Sequence, residues 1–294
     1  MCCFGSIIYF LYSNTSQDFS RMNRTKFSVL ISLYYNENPE FLRKSLDSIF
    51  QQTLLPNEVV LVEDGPLTSA LYEVVDEFAD NHAEIKRVVL TENRGLGQAL
   101  NEGLKHCSYD LVARMDTDDI CKPHRFAKQV DFMEKHTEFD VVGAWIDEFQ
   151  NDVSNVISTR KLPEYPDEIY QFGKKRNPMN HPVVMFRKQT VESAGGYQPF
   201  HLFEDYFLWV RMMLNGNRMY NIPESLLLFR SSPDMFLRRG GMKYAQVEIK
   251  FQWQLYRLGY IGLFRMLSNI GIRITVRVIP NKCREWIYEN LLRR

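Results

Sequence analysis

Four consecutive residues, Asp116-Thr117-Asp118-Asp119, close the apolar run from Tyr109 to Met115. Carboxylates this close repel one another and resist burial. A hard divalent cation, Mn²⁺ or Mg²⁺, removes that conflict, and such ions usually keep phosphate oxygens in their shell. The cluster therefore points to a metal that holds a diphosphate. Asp118 is the principal candidate ligand, and Asp116 a second ligand or the acceptor for a ribose hydroxyl. Asp119 serves through water, or caps the helix that Pro123 helps to start. Taken alone, so short a string is more often a solvated acidic turn, so its surroundings decide.

A second acidic pair, Glu204-Asp205, lies in an aromatic stretch at the start of a predicted helix. A carboxylate there can take a proton from an attacking hydroxyl. The helix start lowers its basicity, so it would accept the proton late, as the new bond forms. The alternative is a helix-start cap paired with Arg211. Asp64 ends another apolar run, where it can accept from the N–H of a base such as uracil or merely stabilise the turn before Gly65. Arg94 carries a fork suited to phosphate oxygens, or is an exposed surface arginine. His181, before Pro182, is a candidate third metal ligand or acceptor contact, although a lone His in this setting is more often structural.

The elements that must position these groups follow from hydrophobic period. Strand-like runs at 27–34, 58–62, 86–90 and 109–115 alternate with helical spacing at 41–50, 67–78, 96–104 and 126–133. Near-continuous apolar strands alternating with helices mean a parallel sheet covered on both faces. Ligands of such sheets sit at the carboxyl ends of the strands. Tyr35, Asn36 and Glu37, then Asp64, then Asn93 and Arg94, then the aspartate cluster all fall on that edge. Beyond Trp145 the pattern loosens. Strand-like 183–186, the Gly195-Gly196-Tyr197 bend and a helix over 203–214 follow.

The chain has 294 residues with 36 basic and 36 acidic side chains, but the balance is uneven. From 236 to 294 there are twelve Lys and Arg against three Glu, a net of +9, which leaves −9 for the rest. A basic, helical C-terminal region on an acidic body suggests an anionic contact. Its aromatics, Trp253, Tyr256, Tyr260 and Trp286, suit a membrane interface; packing against the acidic body is the alternative. Five cysteines without zinc-ligand spacing fit a reducing compartment. No run approaches the ~20 apolar residues of a membrane span. Gly95-Leu96-Gly97 lacks the third glycine of a dinucleotide fingerprint, and no phosphate-binding Gly-x-x-x-x-Gly-Lys loop occurs. Nothing in the basic region resembles a nucleic-acid reading motif. We expect a disordered extension over 1–25, a main domain over 26–235 and a basic amphipathic helical region over 236–294.

Taken together, the motifs resemble family 2 glycosyltransferases of the GT-A fold, especially those of bacterial exopolysaccharide and O-antigen assembly such as the amylovoran type. The matching pieces are the first strand with Tyr35-Asn36-Glu37, the second with Asp64-Gly65, and Asn93-Arg94-Gly95-Leu96-Gly97 with Asn101. Arg114-Met115-Asp116-Thr117-Asp118-Asp119, Gly195-Gly196-Tyr197 and Glu204-Asp205 through Arg211 complete the set. The resemblance implies a Rossmann-like α/β sheet and an inverting transfer from a nucleotide sugar, with UDP as the nucleotide. It implies Asp116 and Asp118 in the Asp-x-Asp role, Asp205 as base, and a nucleotide pocket that includes Tyr35, Glu37 and Asp64. A glycan or lipid-linked glycan would be the acceptor, reached from the cytoplasmic face of the membrane. Two other readings share parts of this pattern. A sugar-1-phosphate nucleotidyltransferase normally has a glycine-rich basic loop after the first strand, where this chain has Tyr34-Tyr35-Asn36-Glu37-Asn38. A non-catalytic sugar-nucleotide-binding module would not need the full carboxylate set.

Overall fold

The structure, a computed structural model, describes residues 25–231 and 242–278. The expected N-terminal extension up to residue 24, and the last part of the basic region, lie outside the described residues. Strands β1 (Phe27–Leu33), β2 (Glu58–Glu63), β3 (Ile85–Val89) and β4 (Leu111–Met115) run parallel in the order β3-β2-β1-β4. Helices α1 (Pro39–Phe50), α2 (Ser69–Asn81) and α3 (Leu96–His106) connect them. This half is the doubly covered sheet that the apolar runs predict.

The second half is mixed. β5 (Ile120–Cys121) leads into helix α4 (Arg125–Lys135), then β6 (Val141–Phe149) and the short β7 (Ser158–Arg160) that pairs with it. Helix α5 (Pro166–Gly173) follows, then β8 (Met185–Arg187), which lies antiparallel between β4 and β6. After helices α6 (Lys188–Ser193) and α7 (Glu204–Leu214), β9 (Met219–Arg230) runs parallel to β6 and antiparallel to β5. The expected strand at 183–186 starts instead as a 3₁₀ turn over His181–Val183. β9 was not expected. Its apolar pattern is broken by Pro223-Glu224, which fall where the pairing with β6 slips register.

Side chains alternate between two cores, as the pleat requires. Val29, Ile31 and Leu33 of β1 face the α1, α2 and α4 side, while Leu30 faces α3 and α7. Helix α3 lies so close to the sheet that a Cβ at Gly103 would stand 2.5 Å from both Leu30 Cδ1 and Val62 Cγ2. A third cluster joins the outer side of α7 to α8 (Met242–Arg257) and α9 (Leu263–Val278). Phe251 of α8 stacks on Phe203 with ring centroids 4.6 Å apart and leans on Tyr206 at 4.8 Å. The basic region therefore does pack on the body, and it does so on the helix that carries Glu204 and Asp205.

Candidate active site

The aspartate cluster is held in place by a polar stripe on α1. Ser45 donates to the carbonyl of Asp116 at 2.9 Å, Ser48 accepts from the N–H of Cys121 at 3.0 Å, and Gln52 donates to the carbonyl of Lys122 at 2.8 Å. Ser45 and Ser48 share one face of α1 and Gln52 lies in the turn just after it; together they hold the loop. The helix itself starts as the sequence suggests: Pro39 occupies its first turn and Asn38 accepts from the N–H groups of Glu40 and Phe41.

The carboxylates sit in the predicted conflict. Burial, then the neighbouring charge of Asp116, pushes Asp118 up to about 6. Asp119 is raised well above the ordinary range by full burial, then by Asp118 and Asp116. Asp119 Oδ1 accepts the backbone N–H of Arg230 at 2.9 Å, while its buried Oδ2 has no hydrogen-bond partner among the described residues. Two arginines oppose this charge. Arg114, fully buried on β4, stands 2.5 Å from Asp116 Oδ1. The contact is a charge pair rather than an aligned hydrogen bond, since the Nε and both Nη atoms of Arg114 make none. Arg230, at the end of β9, donates to the carbonyls of Asp118 at 3.0 Å and Gln150 at 3.2 Å. Its guanidinium lies 3.8 Å from the centroid of the Phe41 ring.

Repelling carboxylates, with one orphaned oxygen on Asp119, are a donor set that a hard divalent cation would satisfy. Asp116 and Asp118 are the two side chains that could serve as ligands to such an ion. His181 does not join them. Among the described residues no three His, Cys, Asp or Glu side chains converge as a metal set. His181 is buried, its Nε2 lies 2.9 Å from the Tyr197 hydroxyl, and its ring leans towards Trp209. Burial, with the positive charge of Arg114, lowers its pKa well below the usual range, so the imidazole is neutral. The structure gives it a packing and hydrogen-bonding place in the core instead.

At the end of β2, one strand beyond β1 from the cluster, Asp64 accepts the N–H groups of Arg94 at 2.7 Å and Gly95 at 3.0 Å. The carboxylate expected to meet a base is thus already a joint that fixes the Asn93–Gly95 loop. Gly65 makes that joint possible: its φ is +86°, and a Cβ there would lie 2.6 Å from Asn93 N. Asn93 adds a bond from its amide to the Asp64 carbonyl at 3.2 Å. The Arg94 side chain is exposed and only loosely paired with Glu92, at 3.9 Å. Tyr35 and Asn36 are exposed in the turn after β1 and Glu37 is half-buried. Glu63 is buried against Arg87 of β3 at 2.6 Å.

The Glu204-Asp205 pair is brought to the same edge by contacts between motifs. Asn101 of α3 donates to the Tyr197 carbonyl at 2.6 Å and accepts the Tyr197 N–H at 2.8 Å, which latches the glycine bend to the sheet. Gly97 abuts Glu204, whose Cγ would be 3.3 Å from an added Cβ. Arg211 does not pair with the acids as a cap would. It donates to the carbonyls of Ala194 and Gly196 and so braces the bend. Leu202, just before α7, adopts a left-handed φ of 70°, a strained entry for a non-glycine residue. Asp205 is half-buried and accepts from the Asn177 amide at 2.6 Å. Burial, then the charge of Asp205, raises Glu204. The phenol of Tyr197 is raised by burial, against the lowering charge of Arg114, with smaller contributions from Asp205 and Asp116.

Sequence reasoning missed Arg114, Arg230 and Asn177. Arg114 lies inside a quoted motif and carried a signal, a charge in a buried strand. Asn177 and Arg230 lie in stretches without periodicity and carried none.

Comparison with known proteins gives the family and the fold. The profile of Glycosyl transferase family 2 matches residues 28–193, and that of Glycosyl transferase family group 2 matches 111–284. The chain is 40% identical over 269 residues to the UDP-Gal:alpha-D-GlcNAc-diphosphoundecaprenol beta-1,3-galactosyltransferase of Escherichia coli, covering 92% of this chain and 97% of that one. It is 43% identical over 267 residues to the amylovoran biosynthesis glycosyltransferase AmsE of Erwinia amylovora, covering 90% and 98%. Among solved structures, S. aureus TarS 1-349 in complex with UDP-GlcNAc superposes with a TM-score of 0.63 at 17% identity, covering 90% of this chain and 79% of that one. The mannosyltransferase PcManGT of Pyrobaculum calidifontis, in complex with GDP-Man and Mn²⁺, gives 0.61 at 16% identity over 96% and 87%. The fold is GT-A, and the chain belongs to glycosyl transferase family 2.

Proposed function

We propose that this glycosyltransferase moves a sugar, with inversion, from a UDP-sugar to a hydroxyl of a lipid-linked glycan during cell-surface polysaccharide assembly. The acceptor class is taken from the E. coli relative, which acts on a diphosphoundecaprenol-linked sugar, and the nucleotide from the UDP-GlcNAc complex of TarS. The observation that supports the reading is the contact between motifs at one sheet edge: Asn101 of α3 holds the Tyr197 bend and Gly97 abuts Glu204, next to the loop that Asp64 fixes.

In this reading Tyr35, Asn36 and Glu37 flank the base and ribose. Asp64 holds the Arg94 loop, and its remaining lone pairs are available to a base N–H. Arg94 meets the phosphates with its exposed fork, and Asn93 fixes the loop. Asp116 and Asp118 would hold Mn²⁺ or Mg²⁺, which when bound supplies positive charge to the departing diphosphate. The acceptor hydroxyl attacks the anomeric carbon from the face opposite the diphosphate. Asp205 takes the proton as the C–O bond forms, and Asn177 fixes the carboxylate that receives it. Glu204, raised by burial, lines the acceptor side. No covalent enzyme intermediate is needed. A lipid-linked acceptor also implies a peripheral position at the cytoplasmic face of the membrane; no helix among the described residues is long and apolar enough to cross one.

The test is a thermal-shift panel of nucleotide sugars with and without Mn²⁺, followed by nucleotide release in the presence of a lipid-linked acceptor. A UDP-sugar shift that grows with Mn²⁺ in the wild type and is lost in Asp118→Asn is expected. A shift that ignores Mn²⁺ and the substitution would overturn the metal assignment.

A further inference from the structure

Helices α8 and α9 form a hairpin whose inner side is fully accounted for. Gln252 accepts from Asn269 at 2.8 Å and donates to Glu248 at 3.3 Å, and Arg273 pairs with Glu248. Asn269 also donates to the Lys174 carbonyl at 2.9 Å, and Arg273 to that of Lys175. The hairpin is thereby tied to the end of α5, while Phe251 and Leu255 fill the aromatic cluster over α7.

Its outer side is not covered by any of the described residues. Trp253 and Tyr256 project from α8 at 51% and 36% exposure. On α9, Leu263, Phe264, Leu267 and Ile272 are 47%, 89%, 54% and 63% exposed. On a helix of 3.6 residues per turn these four fall on one half of the circumference. An almost bare phenylalanine in such company marks an interaction surface rather than scattered surface apolarity. The charges around it have one sign. Between residues 244 and 273 the sole carboxylate is Glu248, buried and paired with Arg273. Lys250, Arg257 and Arg265 lie exposed beside the apolar residues. Where α9 meets α5, Lys174, Lys175 and Arg265 line a cavity of about 430 Å³ that has Glu168 as its one acidic lining residue.

We propose that this outer face docks the enzyme on an anionic phospholipid surface. Apolar and aromatic side chains would enter the acyl boundary, and Lys174, Lys175, Arg257 and Arg265 would meet lipid phosphates. A second copy of the chain fits worse, because a self-complementary contact would bring cations against cations. The assignment rests on the reading that the acceptor is lipid-borne, and it adds where the membrane lies. It lies against the hairpin that backs α7, with Lys174 and Lys175 only a few residues from Asn177, the partner of Asp205.

The test uses the full chain and sedimentation with phosphatidylcholine vesicles, with and without phosphatidylglycerol. Removing the hairpin would strip α7 of its aromatic cover, so point substitutions are the sharper probe. Binding to the anionic vesicles should be favoured and should weaken severalfold at high salt. Phe264→Glu with Leu267→Glu should weaken it at least about tenfold, with unchanged circular dichroism and thermal midpoint. Lys174→Glu with Lys175→Glu should remove most of the preference for anionic lipid. Equal binding by wild type and the Phe264/Leu267 variant, equal binding to neutral and anionic vesicles, or self-association that the variant abolishes would each overturn the proposal. Wild-type protein that takes a UDP-sugar but ignores vesicles sinks the docking face alone; protein that binds vesicles but no nucleotide sugar sinks the transfer reading alone.

Discussion

Replacing Asp118 with Asn should stabilise the metal-free protein while abolishing transfer. Burial and Asp116 lift this carboxyl from an ordinary 3.8 to about 6. The folded state therefore binds more protons than the unfolded chain between those values, and stability falls as pH rises through that window. Below about 3.8 the penalty is absent; above about 6 it is complete. A gap of roughly two pK units is worth about 3 kcal/mol at 1.36 kcal/mol per unit. Asn carries no charge, so the substitution removes this penalty and also the repulsion that Asp118 exerts on buried Asp119. At an unfolding entropy of about 2.1 cal/mol/K per residue, over 294 residues, 3 kcal/mol corresponds to a rise of roughly 5 °C. The assay is thermal unfolding in chelator across mildly acidic to mildly alkaline pH. The variant should gain most at alkaline pH, and its advantage should shrink as pH falls through the Asp118 range. Added Mn²⁺ should raise the wild-type midpoint and leave the variant unmoved. A variant that is less stable than wild type at alkaline pH, or equally displaced at every pH, would refute the reasoning, because the acid cluster would then be no burden to the fold.

Three further substitutions probe the other joints. Asp205→Asn keeps the shape of the site but removes the proton acceptor, and turnover should fall by about 10²–10⁴-fold; near-normal turnover would show that the base lies elsewhere. Asn177→Ala frees Asp205 from its 2.6 Å partner and should lower kcat by up to about 100-fold, while donor KM, measured in the same rate series, stays close to wild type. Gly65→Ala forces a side chain into a left-handed φ of +86° against Asn93 N; a loss of about 1–3 kcal/mol in urea unfolding is expected, together with a rise in donor KM as the Arg94 loop shifts.

The parallel half of the fold was legible because its signals are local and redundant. Strands β1, β2 and β4 are apolar runs buried on both faces, β3 is a largely exposed edge strand, and each helix between them shows its own period. The strand ends then carry Tyr35, Asp64, Arg94 and Asp116 to one edge without further information. What could not be read is the half built by distant pairing. β9 hides because Pro223 and Glu224 interrupt its apolar residues at a slip in register with β6, and a one-chain pattern cannot show that a partner tolerates the slip. Arg230 reads as one more basic residue before the C-terminal region, yet it meets Asp118 and Asp119 across more than a hundred residues. Asp205 was legible as an acid in an aromatic stretch, while the amide that holds it was not. His181 misled for the opposite reason: its residue type suits a metal, but its surroundings are a tyrosine hydroxyl, an indole and a buried guanidinium.

That guanidinium explains how the acid cluster stays ordered. An arginine with no solvent exposure and no aligned hydrogen bonds is costly by itself, as are adjacent buried aspartates. Set two residues apart at the end of one strand, Arg114 and Asp116 offset part of each other's burden at 2.5 Å. The offset is incomplete on both sides. Arg114 keeps three unbonded nitrogens and Asp119 one unbonded oxygen, and Asp118 remains far above its ordinary pKa despite the lowering influence of Arg230 and Arg114. Full neutralisation by protein groups would leave no reason to bind a cation, and none at all would unfold the loop. The partial balance keeps the backbone from Asp116 to Lys122 pinned to α1 while leaving electrostatic demand for a ligand that carries both signs, as a divalent ion with a diphosphate does.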